Sequence, residues 1–563
     1  MSHKAARICL QLGLFSAFLV SVYGVFEHFG HSFSCLSFTG SFNVSCWIQD
    51  VQNRVFATLG QPNWLAAYLV ALIPISIALF ITAKKPVYNP AAAGPYSIFY
   101  LLCLLFTKSR SAFLGLAAAL FVSATIILLK RFPKYTKTIS LGVVLILVIG
   151  SIFVVKQFSR PPPITQTSDQ PITSTDLISE SGDIRQIVWT GAIEIWKHHP
   201  ILGTGPETFA YSYYWYRPRE HNDVSEWDFL YNKAHNEYLN YLATTGTIGF
   251  VGYLIMITSF IFWATKKVLK SKNNPDSQFY ILNSFLAAFV SILVTNFFGF
   301  SVVVVSLLFF LIPAFDFVFS QPDDQNLPAP AFPLNLPRHL LILAIFAGSV
   351  YLLFGIVNYW RADLRYAQGD KLEKAGTYDQ AVNILQEAIN LRGNEPVYHN
   401  SLALPASGYA VLAFKQNQTD LASRSAAYAI QESDLALQTS PFNINFLKDR
   451  TKVYFRLTDI NPQNLNKAID TLSQATKIAP TDPKIKYNLG VFLASADQLD
   501  LAIKYLEETI ALKPNFEDAH FALALFYQKR GQTPEAKKEL EYILQRINPG
   551  SQRALQKLKE LNY

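Results

Sequence analysis

Charge is what this sequence has least of. Of its 563 residues, 16% are Asp, Glu, Lys or Arg and 51% are apolar or aromatic, whereas an average soluble domain carries about 25% charged residues. A soluble cytosolic enzyme is excluded. The mean hydropathy is +0.20, too low for a chain embedded in lipid along its whole length, so a membrane part must be joined to a sizeable soluble part. Cysteine is scarce as well, at four residues. Cys9 and Cys103 fall in apolar runs and read as small core residues. Cys35 and Cys46 share a polar loop without a His cluster, and a disulfide between them stays open, depending on whether that loop faces an oxidising compartment. No His, Cys and Asp stand at metal-ligand spacing. A phosphate-cradling glycine loop is lacking too, because Gly203-Thr204-Gly205 has no following Lys and no preceding strand. Neither a metal nor a cofactor is expected.

What is present in quantity is long apolar stretches. A crossing needs about 20 apolar residues, and nine candidate spans follow: 7–26, 64–83, 95–108, 111–129, 139–156, 239–264, 279–298, 301–319 and 339–359. The third is short, and 95–129 also reads as a helix broken around Lys108-Ser109-Arg110-Ser111. Gly299 is the expected hairpin between the seventh and eighth. With nine spans, Lys4 and Arg7, Lys84-Lys85, Lys130-Arg131-Lys134-Lys137 and Lys266-Lys267-Lys270-Lys272 all fall on one side, which is the cytoplasm. The N-terminus is then cytoplasmic. Loop 157–238, with six Lys/Arg against eleven Asp/Glu, and everything after Trp360 lie outside. The formal charge of +8 is therefore a topology signal, and no nucleic-acid partner is expected.

Residues 361–563 change character and repeat internally. Ala468, Ala502 and Ala536 are spaced by 34 residues, as are Leu489 and Leu523, and Pro480 and Pro514. Small residues at such positions mark close crossings of paired antiparallel helices, and the Pro ends the second helix of each pair. The pattern resembles the tetratricopeptide repeat, with looser copies around Gly369…Gly376…Ala381…Ala388 and Ala429…Ala436…Pro441, about five in all. Such an array is an α-solenoid. Its functional reading is docking of a protein partner; the alternatives are a rigid spacer or a lid over the membrane domain. The expected fold is thus all-α: residues 1–360 as a polytopic transmembrane bundle, and 361–563 as an extracytoplasmic repeat domain.

Loop 157–238 is far longer than a connection needs, and long ordered loops tend to carry function. It opens on Pro161-Pro162-Pro163 and a polar stretch to about Ser181 that reads as flexible. A helix follows, with an apolar stripe through Ile184, Ile187, Val188, Ala192, Ile195 and Trp196 that stops before Pro200. Arg185 lies in its first turn, where the helix dipole disfavours a cation, so an anionic partner would rationalise it. The ordered set Asp183-Ile184-Arg185…Trp189…Trp196…His199-Pro200…Gly203-Thr204-Gly205-Pro206-Glu207-Thr208-Phe209…Ala234-His235-Asn236-Glu237-Tyr238-Leu239…Gly246-Thr247-Ile248-Gly249 resembles the O-antigen ligase/polymerase superfamily. So do Arg54…Leu59-Gly60-Gln61-Pro62-Asn63-Trp64-Leu65-Ala66 and Ser109-Arg110-Ser111-Ala112-Phe113-Leu114-Gly115. The resemblance covers roughly residues 50–320. Members usually have more spans than this chain shows, and the shortfall is expected to be N-terminal.

That resemblance implies glycosyl transfer on the outer side of the cytoplasmic membrane. A glycan carried on undecaprenyl diphosphate moves to the hydroxyl of a lipid, glycan or protein acceptor, without nucleotide sugar or metal. Arg185 and Arg110 match motif positions and suit the leaving diphosphate, which guanidinium groups bind in a bidentate fork. His235 is the expected general base; its bland alternative is a residue capping a helix start or sitting in the interface. Arg217 and Arg219 are helper candidates, or else an interfacial turn snorkelling to headgroups. Glu207 and Glu237 are loop carboxylates able to orient His235 or an acceptor hydroxyl. The run Tyr211 to Tyr216 stacks on sugar faces or forms an aromatic belt. His198, His199 and His221 read as structural. Two rival functions remain open: a solute transporter, disfavoured because span centres are almost uncharged, and a membrane-anchored docking scaffold.

Overall fold

The computed structural model describes residues 3–82, 90–143, 181–270, 277–321 and 338–562. Its regular elements are helices, and its contacts divide it into two compact units. The first comprises 1–162, 188–209 and 231–328, the second 163–187, 210–230 and 329–563. The expected span 139–156 and the Pro-rich stretch 161–181 lie almost wholly outside the described residues.

In the first unit the apolar runs become α1 (His3–His28), α3 (Pro62–Thr82), α4 (Pro90–Thr107), α5 (Arg110–Arg131), α8 (Glu237–Lys270), α9 (Ser277–Phe297) and α10 (Val303–Phe319); a short α2 (Phe33–Thr39) follows α1. The break expected around Lys108 is present: α4 ends at Thr107, Lys108 takes a left-handed φ of 50°, and α5 starts at Arg110. The hairpin near Gly299 is present as well. Helices α3 and α9 are the most buried, which makes them the centre of the bundle. Where there is no hydrophobic gain in leaving lipid, close packing and polar contacts hold helices together. Gly115 lets α5 approach Ser291 of α9, where a Cβ would stand 3.1 Å from the carbonyl oxygen. Asn283 donates to Ser123 Oγ at 2.7 Å, and Ser76 and Ser97 hydroxyls pair at 2.8 Å. Cys35 and Cys46 are disulfide-bonded.

Helix α8 is interrupted at Gly246 (φ 64°, ψ −169°). An interruption leaves carbonyls and amides without helical partners, and the segment after α6 (Ser181–His198) supplies them. Thr204 and Gly205 donate to the carbonyls of Ala243 and Thr244 at 3.3 and 2.8 Å, while Thr247 and Ile248 donate to Pro200 and Ile201 at 2.8 and 3.3 Å. Thr247 Oγ1 also donates to the Pro200 carbonyl and accepts from Trp196 Nε1. Two backbones meet with nothing between them. A Cβ on Gly203 would lie 2.4 Å from Thr244, and one on Gly246 would lie 2.3 Å from the Ile201 oxygen.

The second unit contains α11 (Arg338–Lys374), α12 (Tyr378–Leu391), α13 (Pro396–Lys415), α14 (Thr419–Thr439), α15 (Ile444–Arg456), α16 (Asn464–Ile478), α17 (Pro483–Ser495), α18 (Leu499–Leu512), α19 (Glu517–Lys529), α20 (Thr533–Tyr542) and α21 (Gln552–Glu560). The change of character after Trp360 happens inside α11, one unbroken helix of 37 residues, roughly 55 Å at 1.5 Å per residue. Its apolar half, from Leu340 to Trp360, is exposed within the protein, as a lipid-facing surface should be, and Ala362 is already buried with Ala388 and Tyr398 of the first repeat. Small residues sit at the crossings as the periodicity predicts: a Cβ on Gly490 of α17 would meet the Ala502 oxygen of α18 at 3.1 Å. Pro483 opens α17 behind the capping carboxylate of Asp482, which accepts from Lys484 and Ile485, a favoured way to start a helix.

Gly203→Ala and Gly246→Ala should each lower the melting temperature of the purified protein sharply, since a methyl group would collide with backbone at a left-handed position. Gly252→Ala in the same helix, with open space around it, should leave it unchanged or slightly raised. Equal melting of Gly246→Ala and Gly252→Ala would contradict the close approach.

Candidate active site

The first unit gathers several motif segments into one patch. Asn236 is the residue that caps α8: its Oδ1 accepts from the Leu239 amide at 3.1 Å, and its carbonyl accepts from Asn240. The capping role considered for His235 is therefore filled by its neighbour. His235 itself takes a left-handed φ of 53°, and its half-buried ring packs edge-on against Tyr231 and Phe300, centroids 5.6 and 5.2 Å away. Phe300 also receives Trp64, at 5.9 Å. Beside Trp64, Asn63 accepts from Ser109 Oγ at 2.9 Å and from Arg54 at 3.3 Å, and Arg54 Nε reaches the Thr107 carbonyl. Arg110, next to Ser109, is exposed at the first position of α5. That position offers a cation nothing favourable from the helix dipole.

Glu207 is exposed, also left-handed (φ 61°), and ion-paired with Lys233. Glu237 opens α8 and accepts from the Ser301 amide at 3.4 Å. Four non-glycine residues of this unit have positive φ among the described residues: Ala57, Lys108, Glu207 and His235. All four lie in or beside the motif segments. Such conformations cost free energy and cluster at functional sites.

The other sequence candidates belong to the second unit. Arg185 is half-buried on α6. Arg217 is not at a headgroup surface: it is 5% exposed and bonded to Asn222. Arg219 is exposed in the short turn Arg219–Asp223. The aromatic run is divided by burial. Tyr213 and Tyr214 of α7 (Phe209–Tyr216) are buried, whereas Tyr211 and Trp215 are exposed. His221 is buried against Tyr213, whose hydroxyl lies 3.0 Å from Nδ1; in the first unit, His198 Nδ1 bonds the Glu194 carbonyl of its own helix. Residues that sequence reasoning left without a role are Asn63, Ser109, Tyr231 and Phe300. The first two stand in quoted motifs; Phe300 carries no local signal.

Residues 95–254 match the family model of the O-antigen ligases, and residues 493–560 match a tetratricopeptide-repeat model. The chain thus joins a segment similar to the O-antigen ligases to a later segment similar to tetratricopeptide repeats. The ligase match runs from α4 into α8 and includes Arg110, Arg185, Glu207, Arg217, Arg219, His235, Glu237 and the two glycines of the backbone contact, Gly203 and Gly246. No curated protein sequence matches the chain. Among solved structures, a thermophilic tetratricopeptide-repeat protein of Thermus thermophilus is similar at 17% identity and a TM-score of 0.27, over 36% of this chain and 98% of that one. PilF of Pseudomonas aeruginosa is similar at 16% and 0.28, over 36% and 88%. MamA from Desulfovibrio magneticus is similar at 18% and 0.26, over 34% and 97%.

One buried group of the second unit gives a pH test. Burial first, and the Arg217 charge second, push His221 down from its ordinary 6.5 to about 3. The folded chain thus keeps this imidazole neutral where the unfolded chain protonates it. The unfolded state binds the extra proton below about pH 6.5, so stability should fall as pH drops, by up to about 1.4 kcal/mol per pH unit. His221→Gln should flatten that acid slope in melting curves recorded from about pH 6.5 down to about 4. An unchanged slope would place the titrating group elsewhere.

Proposed function

We propose that this chain transfers a glycan from undecaprenyl diphosphate to an acceptor hydroxyl on the outer side of the cytoplasmic membrane, without a metal ion. The observation that carries the reading is the setting of His235. It stands in a strained backbone conformation just before the first turn of a membrane helix, relieved of capping by Asn236 and held between Tyr231 and Phe300. A neutral imidazole can take a hydroxyl proton as general base. In the reaction the acceptor oxygen bonds to the anomeric carbon, the bond from that carbon to the diphosphate breaks, and the hydroxyl proton passes to His235 Nδ1 or Nε2. The lipid diphosphate leaves with the bonding electron pair, and Arg110 and Arg185 are the cations assigned to it. Arg219, Glu207 and Glu237 are secondary candidates; the burial of Arg217 favours a structural role for it.

The O-antigen ligase match over residues 95–254 supports this reading. The Cys35–Cys46 disulfide supports an oxidising compartment around loop 27–63, and with the basic loops it favours a cytoplasmic N-terminus with loop 157–238 and the repeats outside. The domain boundary proposed near residue 360 follows from the same topology. The repeats are read as a protein-interaction module.

The test is transfer from a lipid-diphosphate oligosaccharide by protein in nanodiscs, supplied with envelope acceptors. His235→Ala should lower the rate by at least about a hundredfold. Arg185→Ala and Arg110→Ala should each lower it by about tenfold or more, since one charge-assisted bond is worth roughly 1.5–3 kcal/mol. Undiminished transfer in His235→Ala, with normal melting, would discard this base.

A further inference from the structure

Residues 210–230, though they stand between two ligase segments in sequence, are part of the compact unit of the repeats. They touch the repeats at regular places. Trp215 packs on Phe442, centroids 6.2 Å apart. The Arg217 carbonyl accepts from Thr481 Oγ1 at 2.9 Å. The Asn222 side-chain amide donates to the carbonyls of Thr481 and Leu512 at 3.0 and 3.3 Å, and the Asn222 carbonyl accepts from Lys513 Nζ at 2.6 Å. Lys513 also lies 4.7 Å from the Trp227 ring centre, and Trp227 packs on Phe516. Asp228 pairs with Lys484 at a more exposed point.

Phe442, Thr481 and Lys513 each adjoin a proline that ends a repeat: Pro441, Pro480 and Pro514. The contacts therefore fall on three consecutive turns between repeats, after α14, α16 and α18, along one edge of the array. The chemistry is that of a built site. Asn222, Arg217 and Lys513 are at most 5% exposed, and a buried polar group is costly unless it is bonded. Leu512 is the last residue of α18, and its carbonyl has no helical partner; Asn222 provides one. Burial pushes Lys513 down to about 8, and Asp223 opposes that shift.

We propose that this edge is a binding site whose resident ligand is the chain's own segment 210–230, and that its seating there holds the loop between α6 and α8 in working position. The repeats thus act on the ligase domain in cis, and an external protein partner must use another face. The functional half of this proposal rests on the glycosyl-transfer reading above.

Hydrogen exchange of the full chain in nanodiscs tests it. Amides of 213–228 should be protected in the wild type and exchange at least about tenfold faster in Asn222→Ala and Lys513→Met, with α18 and α19 unchanged. The exposed pair gives a milder variant: Lys484→Glu should speed exchange about twofold, and adding Asp228→Lys should restore it. A segment that exchanges like an unstructured peptide in the wild type, or equally in all variants, would overturn the site. Glycan transfer measured in the same proteins should fall with the loss of protection although His235 is intact; unaltered transfer with an opened segment would overturn the positioning role. If the wild type transfers nothing, the glycosyl-transfer reading fails, and exchange alone still decides whether the edge holds the segment.

Discussion

At Gly246 a membrane helix stops being helical, and four backbone hydrogen bonds to residues 200–205 replace the ones it loses. In a bilayer such a break is tolerated only where protein satisfies every freed group, so the loop segment is part of the helix in an energetic sense. Two consequences follow. The residues of α8 before Gly246, Glu237 to Thr245, form a short separate helix whose start is fixed by the Asn236 cap. His235, one residue earlier, is then held in space by a rigid element on one side and by the rings of Tyr231 and Phe300 on the other, with Trp64 behind Phe300. The Gly203 and Gly246 pair exists because only a hydrogen side chain fits between those backbones.

The second unit obeys a different constraint. Each repeat leaves an apolar helix face that only a neighbour can cover, so the array grows from α11, whose apolar half is exposed over about six turns and whose other end packs into the first repeat. A single helix is a stiff connector. Within the second unit, this one helix carries both the exposed apolar half and the packing against the first repeat.

Much of this was legible in the sequence for reasons that can be named. Apolar runs predict spans because the bilayer sets their length, and eight of the nine expected spans correspond to described helices. Ala502, Gly490 and Pro514 announce the repeats because close crossings demand small residues at a fixed period. The motif Ala234-His235-Asn236-Glu237 was visible, but the division of labour within it, with Asn236 capping and His235 packed on rings, needed three dimensions. Arg217 was misleading: an arginine in a Tyr-rich loop reads as interfacial, whereas its partners are supplied by the fold. Asn222 carried no signal, because its bonds to Thr481, Leu512 and Lys513 span 259 to 291 residues of sequence, and nothing local in a sequence reports a contact of that range.

The central claim is that this membrane protein breaks and remakes a glycosyl bond instead of carrying a solute. The most direct measurement is a balance of products in sealed proteoliposomes loaded with lipid-diphosphate glycan and given acceptor on the outside. The account predicts one lipid diphosphate released for each glycan joined to acceptor, and no release without acceptor. Glycan crossing the bilayer still attached to its lipid, with no diphosphate set free, would contradict it.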